Sequence, residues 1–299
     1  ELKVKIIEHF EGRVVRKDLT KLVKGNAVVP TYVLEYLLGQ HCASSDDSIV
    51  EEGILKVKAI LKNNFVHRNE AEDVMFKIVT TSSHQIIDKV SARLNERDGT
   101  YFADFSNLGI KRVPIDKDII DTHRKLLTSG VWCIVKLSHF VASDSKKDDS
   151  PWLIESLKPI QISYVDVEEY KEKRREFTKD EWMDLIMQSL GLEPEQFNFR
   201  SKLLQLTRMV SFCENNYNLI ELGPKGTGKS HIYSEMSPHG MLISGGEVTQ
   251  AKLFVNNTNG QIGLVGYWDN VAFDEFAGIT KRVDKNLVDT MKNYMANKS

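Results

Sequence analysis

Apolar spacing along the chain is helical at first, alternates in the middle and turns mixed at the end. Leu2, Val4, Ile6, Ile7 and Phe10 share one helical face. After Pro30, residues 32–38 predict a buried helix and residues 44–48 a loop. Further helices are predicted over 50–63 and 84–95. The pattern changes at Asp98-Gly99, a strong turn signal. Beyond it, residues 101–105, 110–113, 131–137 and 152–162 read as strands. A helix capped by Asp116 and reaching Leu127 sits among them, and a charged loop over 143–150 precedes the last. Strands with an inserted helix fit a small barrel of the oligonucleotide-binding kind, and equally a plain α+β subdomain.

A second change comes at residues 168–176, where Lys171, Lys173, Arg174 and Arg175 alternate with acids, as on a solvated helix. Thr178 and Glu181 then form a capping box, with Phe177 and Trp182 as its hydrophobic staple, and Gly191 stops that helix after Leu190. A helix over 201–212 and a buried strand over 217–222 follow. Strands over 241–244 and 270–274 and helices over 248–254 and 283–295 complete the pattern. The polar run 256–266 reads either as a loop entering a central pore or as a surface loop. The expected architecture is α/β: a mixed α+β amino-terminal domain over 1–167, then a phosphate-loop domain over 168–299.

The chemistry concentrates in Gly223-Pro224-Lys225-Gly226-Thr227-Gly228-Lys229-Ser230, which fits G-x-x-x-x-G-K-S, the Walker A pattern. Glycines at 223, 226 and 228 let the backbone N–H groups turn inward around a phosphate. Lys229 is placed to reach the β- and γ-phosphates of ATP, and Ser230 to offer its hydroxyl to Mg²⁺. A Gly-rich surface turn is the plainer reading, weakened by the apolar run that leads straight into the loop. The apolar run 270–274 ends in Asp274-Glu275, a Walker B arrangement. There Asp274 is a candidate Mg²⁺ ligand and Glu275 a candidate base for the attacking water. An acidic turn after a core strand would look the same taken alone.

Composition narrows the picture little. The net charge of −2 on 299 residues excludes an overall basic field, so any nucleic-acid contact must be a local patch. Arg13, Arg16, Lys17, Lys21 and Lys24 are the candidate cluster, with a solvated face as the alternative. Cys42, Cys133 and Cys213 lack paired spacing, which points to a reducing, cytoplasmic compartment and away from disulfides or zinc. No apolar run approaches membrane-spanning length. The chain opens on Glu1, so its natural start is expected to lie upstream.

Four runs carry a family likeness: 14–20 (VVRKDLT), 25–40 (GNAVVPTYVLEYLLGQ), 216–224 (NYNLIELGP) and 242–246 (LISGG). With them the chain resembles the Lon-related BrxL family of the BREX bacteriophage-defence system along essentially its whole length. The resemblance implies a AAA+ ATPase using ATP and Mg²⁺, assembled as a homo-oligomeric ring, that acts on double-stranded DNA. It also implies other BREX components as partners, no membrane, and kinship with MCM-type ring helicases. The family's ATP residues correspond to 223–230, Asp274 and Glu275. Its members continue into the rest of the AAA+ domain and a Lon-protease-like region, so the chain is expected to be a fragment. An ATP-dependent unfoldase of a Lon-like protease is the alternative, and a DNA-binding module on an ATPase scaffold a third.

Overall fold

Strand β1 (Ser83–Leu94) runs through the middle of a five-stranded antiparallel sheet. On one side lie β2 (Tyr101–Phe105) and β3 (Val113–Ile115), on the other β4 (Val131–His139) and β5 (Trp152–Pro159), in the order β3-β2-β1-β4-β5. The computed structural model describes residues 2–10, 13–25, 27–44, 46–95, 98–128, 130–140, 150–160, 166–244, 248–256, 261–274 and 285–297. They divide into two units, one of residues 18–29 and 33–163, the other of 1–17, 30–32 and 164–299.

In the first unit, apolar spacing predicts a helix over 84–95, but the segment is strand β1. The core-facing series is Ile86, Asp88, Val90 and Ala92, all buried, while Ile87 is buried on the opposite face. One polar residue in the alternation, with an apolar one buried behind it, imitates the helical period. Asp88 is tolerated because its carboxylate accepts backbone hydrogen bonds from Lys89 (2.6 Å), Asn107 (3.0 Å) and Leu108 (2.9 Å). Those bonds pin the turn after β2 against β1. Burial nonetheless raises the Asp88 carboxyl above its ordinary value.

The edge strands β3 and β5 lie against each other, so the sheet curls into a small half-open barrel. Between β3 and β4 the expected single helix is a short α-helix, Lys117–Thr122, followed by a 3₁₀ turn, Arg124–Leu127. Asp116 occupies the cap position without a side-chain bond. The strand expected over 110–113 begins only at Val113, because Gly109 and Arg112 take positive φ angles of 78° and 59°. The helices preceding β1 are Lys17–Lys24, Thr31–His41, Asp47–Asn64 and Ala71–Thr81; the apolar spacing indicates the middle two and not the first or the last. That last helix leaves Phe76 and Val79 exposed, so its apolar residues form no continuous buried stripe. Gly53 lies against the end of the Thr31–His41 helix, where a Cβ would sit 2.2 Å from the His41 carbonyl oxygen.

In the second unit, helix α1 (Leu2–His9) packs on helix α8 (Lys179–Ser189). Val4 points to solvent, so the apolar face of α1 is narrower than its sequence implies. Phe10, Tyr170, Phe177 and Trp182 form an aromatic cluster with ring centroids 5.6–6.2 Å apart. The capping box is present: the Thr178 hydroxyl accepts from the Glu181 N–H at 3.2 Å, and the Glu181 carboxylate from the Thr178 N–H at 2.8 Å. Helix α7 (Val167–Arg175) carries the charged run, with Glu169 pairing both Lys173 and Arg13.

Lys5 adds an ion pair to the capping carboxylate, at 2.9 Å. With the Thr178 N–H it holds the Glu181 carboxyl down at about 2. A depressed carboxyl stabilises the fold above its ordinary value of 4.5, and that contribution is lost as pH falls toward 2. Lys5→Met is therefore expected to lower the melting temperature modestly at neutral pH, to leave it nearly unchanged near pH 2, and so to flatten the acid limb between about 4.5 and 2.

The remaining elements are α9 (Phe199–Cys213), α10 (Lys229–Glu235), β6 (Gly240–Ser244), α11 (Gln250–Leu253), β7 (Val255–Asn256), β8 (Gln261–Ile262), β9 (Asn270–Asp274) and α12 (Lys285–Asn297). Strands β6 and β9 are parallel, with Ser244 opposite Asp274. Their apolar side chains meet Leu253, Leu264, Trp268 and Leu287 in a small core. The start and the middle of the polar run form the two-stranded β7–β8 ladder, and residues 257–260 between them lie outside the described residues. The buried strand expected over 217–222 is not formed: the segment pairs with no described strand, and Ile220 and Leu222 are 79 % and 89 % exposed. A short apolar run becomes a buried strand only where neighbours exist on both sides, and the described sheet has two strands. No described helix is long and apolar enough to cross a membrane. All three cysteines are free thiols, Cys42 and Cys133 buried and Cys213 exposed.

Candidate functional site

The phosphate-loop sequence forms an exposed turn between residues 217–222 and α10. Gly226 and Gly228 take φ angles of +82° and +77°, which side chains with a Cβ rarely adopt, and Gly228 is the residue from which α10 starts. A Cβ at either position would meet nothing, so these glycines are required by backbone conformation. Lys225 is exposed. The Lys229 ammonium folds over the loop, donating to the carbonyls of Gly223 (2.9 Å) and Pro224 (2.5 Å) and to the Thr227 hydroxyl (3.2 Å).

The second motif reaches the first. Asp274 stands at the end of β9, and its Oδ2 accepts from the Ser230 hydroxyl at 2.7 Å across 44 residues of sequence. The parallel pairing of β6 with β9 sets that depth. A hydroxyl and a carboxylate in contact are two oxygen donors, the number Mg²⁺ takes from protein when phosphates and water complete its octahedron. With the lysine and the glycine-rich turn beside them, these residues fit a nucleotide–Mg²⁺ group. Glu275 follows Asp274 directly and lies outside the described residues.

Sequence reasoning missed the supports of this site. Arg208 is the buried residue of α9, at 9 % exposure, whereas Phe199, Leu203 and Leu204 of the same helix face solvent. Its guanidinium donates to Glu221 (2.5 Å), to Gln205 (2.7 Å) and to the carbonyl of Thr227 in the loop (3.2 Å). Three residues on, the Ser211 hydroxyl accepts from the Asn270 side chain at 2.6 Å, fixing the start of β9. Phe212 stacks on Tyr233 of α10 at 6.0 Å. One face of α9 thus touches the loop, the helix after it and the strand ending in Asp274. Periodicity gives no sign of it, since apolar spacing would turn the leucines inward.

Comparison with known proteins decides the family. A sequence model described as "BREX system Lon protease-like protein BrxL N-terminal" matches residues 8–139. A second, described as "Lon-like protease BrxL-like, ATPase domain", matches residues 152–299. The chain belongs to the BrxL family. It is 50 % identical to "Lon-like protease BrxL" of Bacillus cereus (strain H3081.97) over all of its 299 residues, covering 44 % of that protein. It is 51 % identical to "Lon-like protease BrxL" of Escherichia coli O9:H4 (strain HS) over 98 % of its length, covering 42 % of that relative. The chain therefore spans less than half the length of these BrxL relatives. The phosphate-loop turn, Asp274 and the α9 brace all fall within the residues matched as the BrxL ATPase domain, a domain that implies ATP use.

Proposed function

We propose that this chain carries the nucleotide site of a AAA+ ATPase that assembles as a ring and couples ATP hydrolysis to action on double-stranded DNA in cytoplasmic anti-phage defence. The contact between Ser230 and Asp274 carries the reading, because it joins two motifs distant in sequence into one set of oxygen donors. In this reading the backbone from Gly223 to Gly228, with Pro224, Lys225, Gly226 and Thr227 between, cradles phosphate oxygens. Lys229 exchanges its bonds to the loop carbonyls for the β- and γ-phosphates, and Ser230 and Asp274 hold Mg²⁺. Bound Mg²⁺ supplies charge neutralisation at the phosphates. Glu275 orients the attacking water. Other BREX components are the expected partners besides DNA and further copies of the chain.

Support for the DNA side comes from the curled five-stranded sheet and the family, since barrels of this type serve oligonucleotide binding elsewhere. The amino-terminal basic cluster supports it less, because Arg13 already pairs with Glu169 at 2.6 Å. The relatives' printed name, Lon-like protease, favours a second reading in which the ATPase unfolds proteins. ATP turnover by the full-length protein separates the two. Duplex DNA is expected to stimulate it several-fold, with the effect fading as salt rises, while an unfolded protein leaves it unchanged. Stimulation by unfolded protein alone would favour the protease reading.

A further inference from the structure

We propose that Arg208 is the positioning residue that sets the shape of the phosphate loop for nucleotide. The proposal rests on the ATP-site reading above. A guanidinium carries five N–H donors in a rigid fork, and here the fork is spent on three partners. Glu221 and Gln205 hold it in place, and its remaining reach goes to the carbonyl of Thr227. Glu221 lies just before the loop and Gln205 one helical turn before Arg208, so the fork joins helix, entry segment and loop.

The bond to Thr227 has a directional consequence. The peptide between Thr227 and Gly228 is planar and trans, so its C=O and N–H point in opposite directions. Drawing the carbonyl toward α9 aims the Gly228 N–H away from it. Gly228 has no Cβ, so its left-handed φ of 77° is one of several values open to it, and this peptide can rotate unless something fixes it. Arg208 supplies the fixing bond from a buried position, before any phosphate arrives. A loop whose N–H groups are already aimed binds without first ordering them. Lysine cannot replace the fork, because a single ammonium on a flexible stem cannot hold three acceptors in one plane.

The Glu221 carboxylate has one oxygen on Arg208, and its other oxygen is buried with no hydrogen-bond partner among the described residues. Removing Arg208 alone would strand that charge, so the informative variant is Arg208→Met with Glu221→Gln, made in the full-length protein. Its affinity for a fluorescent ATP analogue is expected to fall about 10–100-fold, as for a charged hydrogen bond lost from both ground and transition states. Turnover at saturating ATP is expected to change less than about three-fold, because the loop acts on binding and not on the chemical step. Arg208→Lys is expected to fall between this variant and the unaltered protein, and it decides the matter if the double variant does not fold. Unchanged affinity in the folded variants, or a loss of turnover as large as the loss of affinity, would overturn the role of Arg208. Lys229→Ala, measured alongside, tests the underlying reading separately. If it binds the analogue normally, the loop is not the ATP site and the proposal falls with it. If it fails to bind while the Arg208 variants bind normally, only the Arg208 proposal falls.

Discussion

Lys229→Ala in the full-length protein is expected to lower ATP affinity by about 10²–10⁴-fold, while Glu275→Gln keeps affinity and slows hydrolysis by about 10²–10⁴-fold. The two losses differ because the proposed function has the two side chains act at different stages. Lys229 stands over the loop with its ammonium bonded to the carbonyls of Gly223 and Pro224, so it is already gathered where phosphate oxygens would replace those weaker acceptors. Its removal takes away binding common to ground and transition states. In the proposed reading Glu275 has no such part in binding, and replacing its carboxylate by an amide removes only the base. Equilibrium binding of ATP and single-turnover hydrolysis, measured on both variants, check the split. A Glu275→Gln protein that hydrolysed ATP at the unaltered rate would show that another residue orients the water.

Asp88→Ala is expected to destabilise the barrel unit by about 3–5 kcal/mol, because it strands the backbone N–H groups of Lys89, Asn107 and Leu108 in a dry interior. A loss of that size lowers the melting temperature by roughly 10 °C. Asp88→Asn should cost less, keeping one acceptor oxygen and presenting a donor where the other stood. The pH dependence has a definite sign. The folded carboxyl lies above its ordinary value of 3.8, so the native state holds the proton to higher pH than the unfolded chain does. Its contribution is therefore largest below 3.8 and declines as pH rises through the folded value. Asp88→Asn should remove that decline. Thermal melts of the two variants from acid to neutral pH test both the size and the slope.

The same carboxylate explains where the sequence was hard to read. Turns, caps and the phosphate-loop motif depend on single residue types, and so Gly99, Thr178 with Glu181, and Gly191 lie where local chemistry puts them. Strand β1 was illegible because its identity depends on who satisfies Asp88, and the donors come from Asn107 and Leu108 in a distant turn. Residues 217–222 failed for the opposite reason, since their apolar composition describes a strand while pairing depends on neighbours. At the candidate site the Ser230 and Asp274 oxygens were legible, whereas the Arg208 brace was not. A buried arginine has no periodic signature, and its partners come from elements not adjacent to it in sequence.

The aromatic cluster around Phe10 has a bearing on synthesis. Its first member, Phe10, is made before the barrel unit, and Tyr170, Phe177 and Trp182 follow only after that whole unit has been added. At about 5–20 residues per second, helix α1 waits on the order of ten seconds for the partners that bury it. The barrel unit lies almost wholly between, so it can fold on the ribosome first, with α1 still undocked. Closing so long a loop adds little entropy beyond a shorter one, which leaves the late docking of α1 on α8 thermodynamically easy. The unit that holds the candidate site is thus closed by a stretch of chain made well before its partners, and a nascent protein stalled before residue 182 would expose that stretch to chaperones.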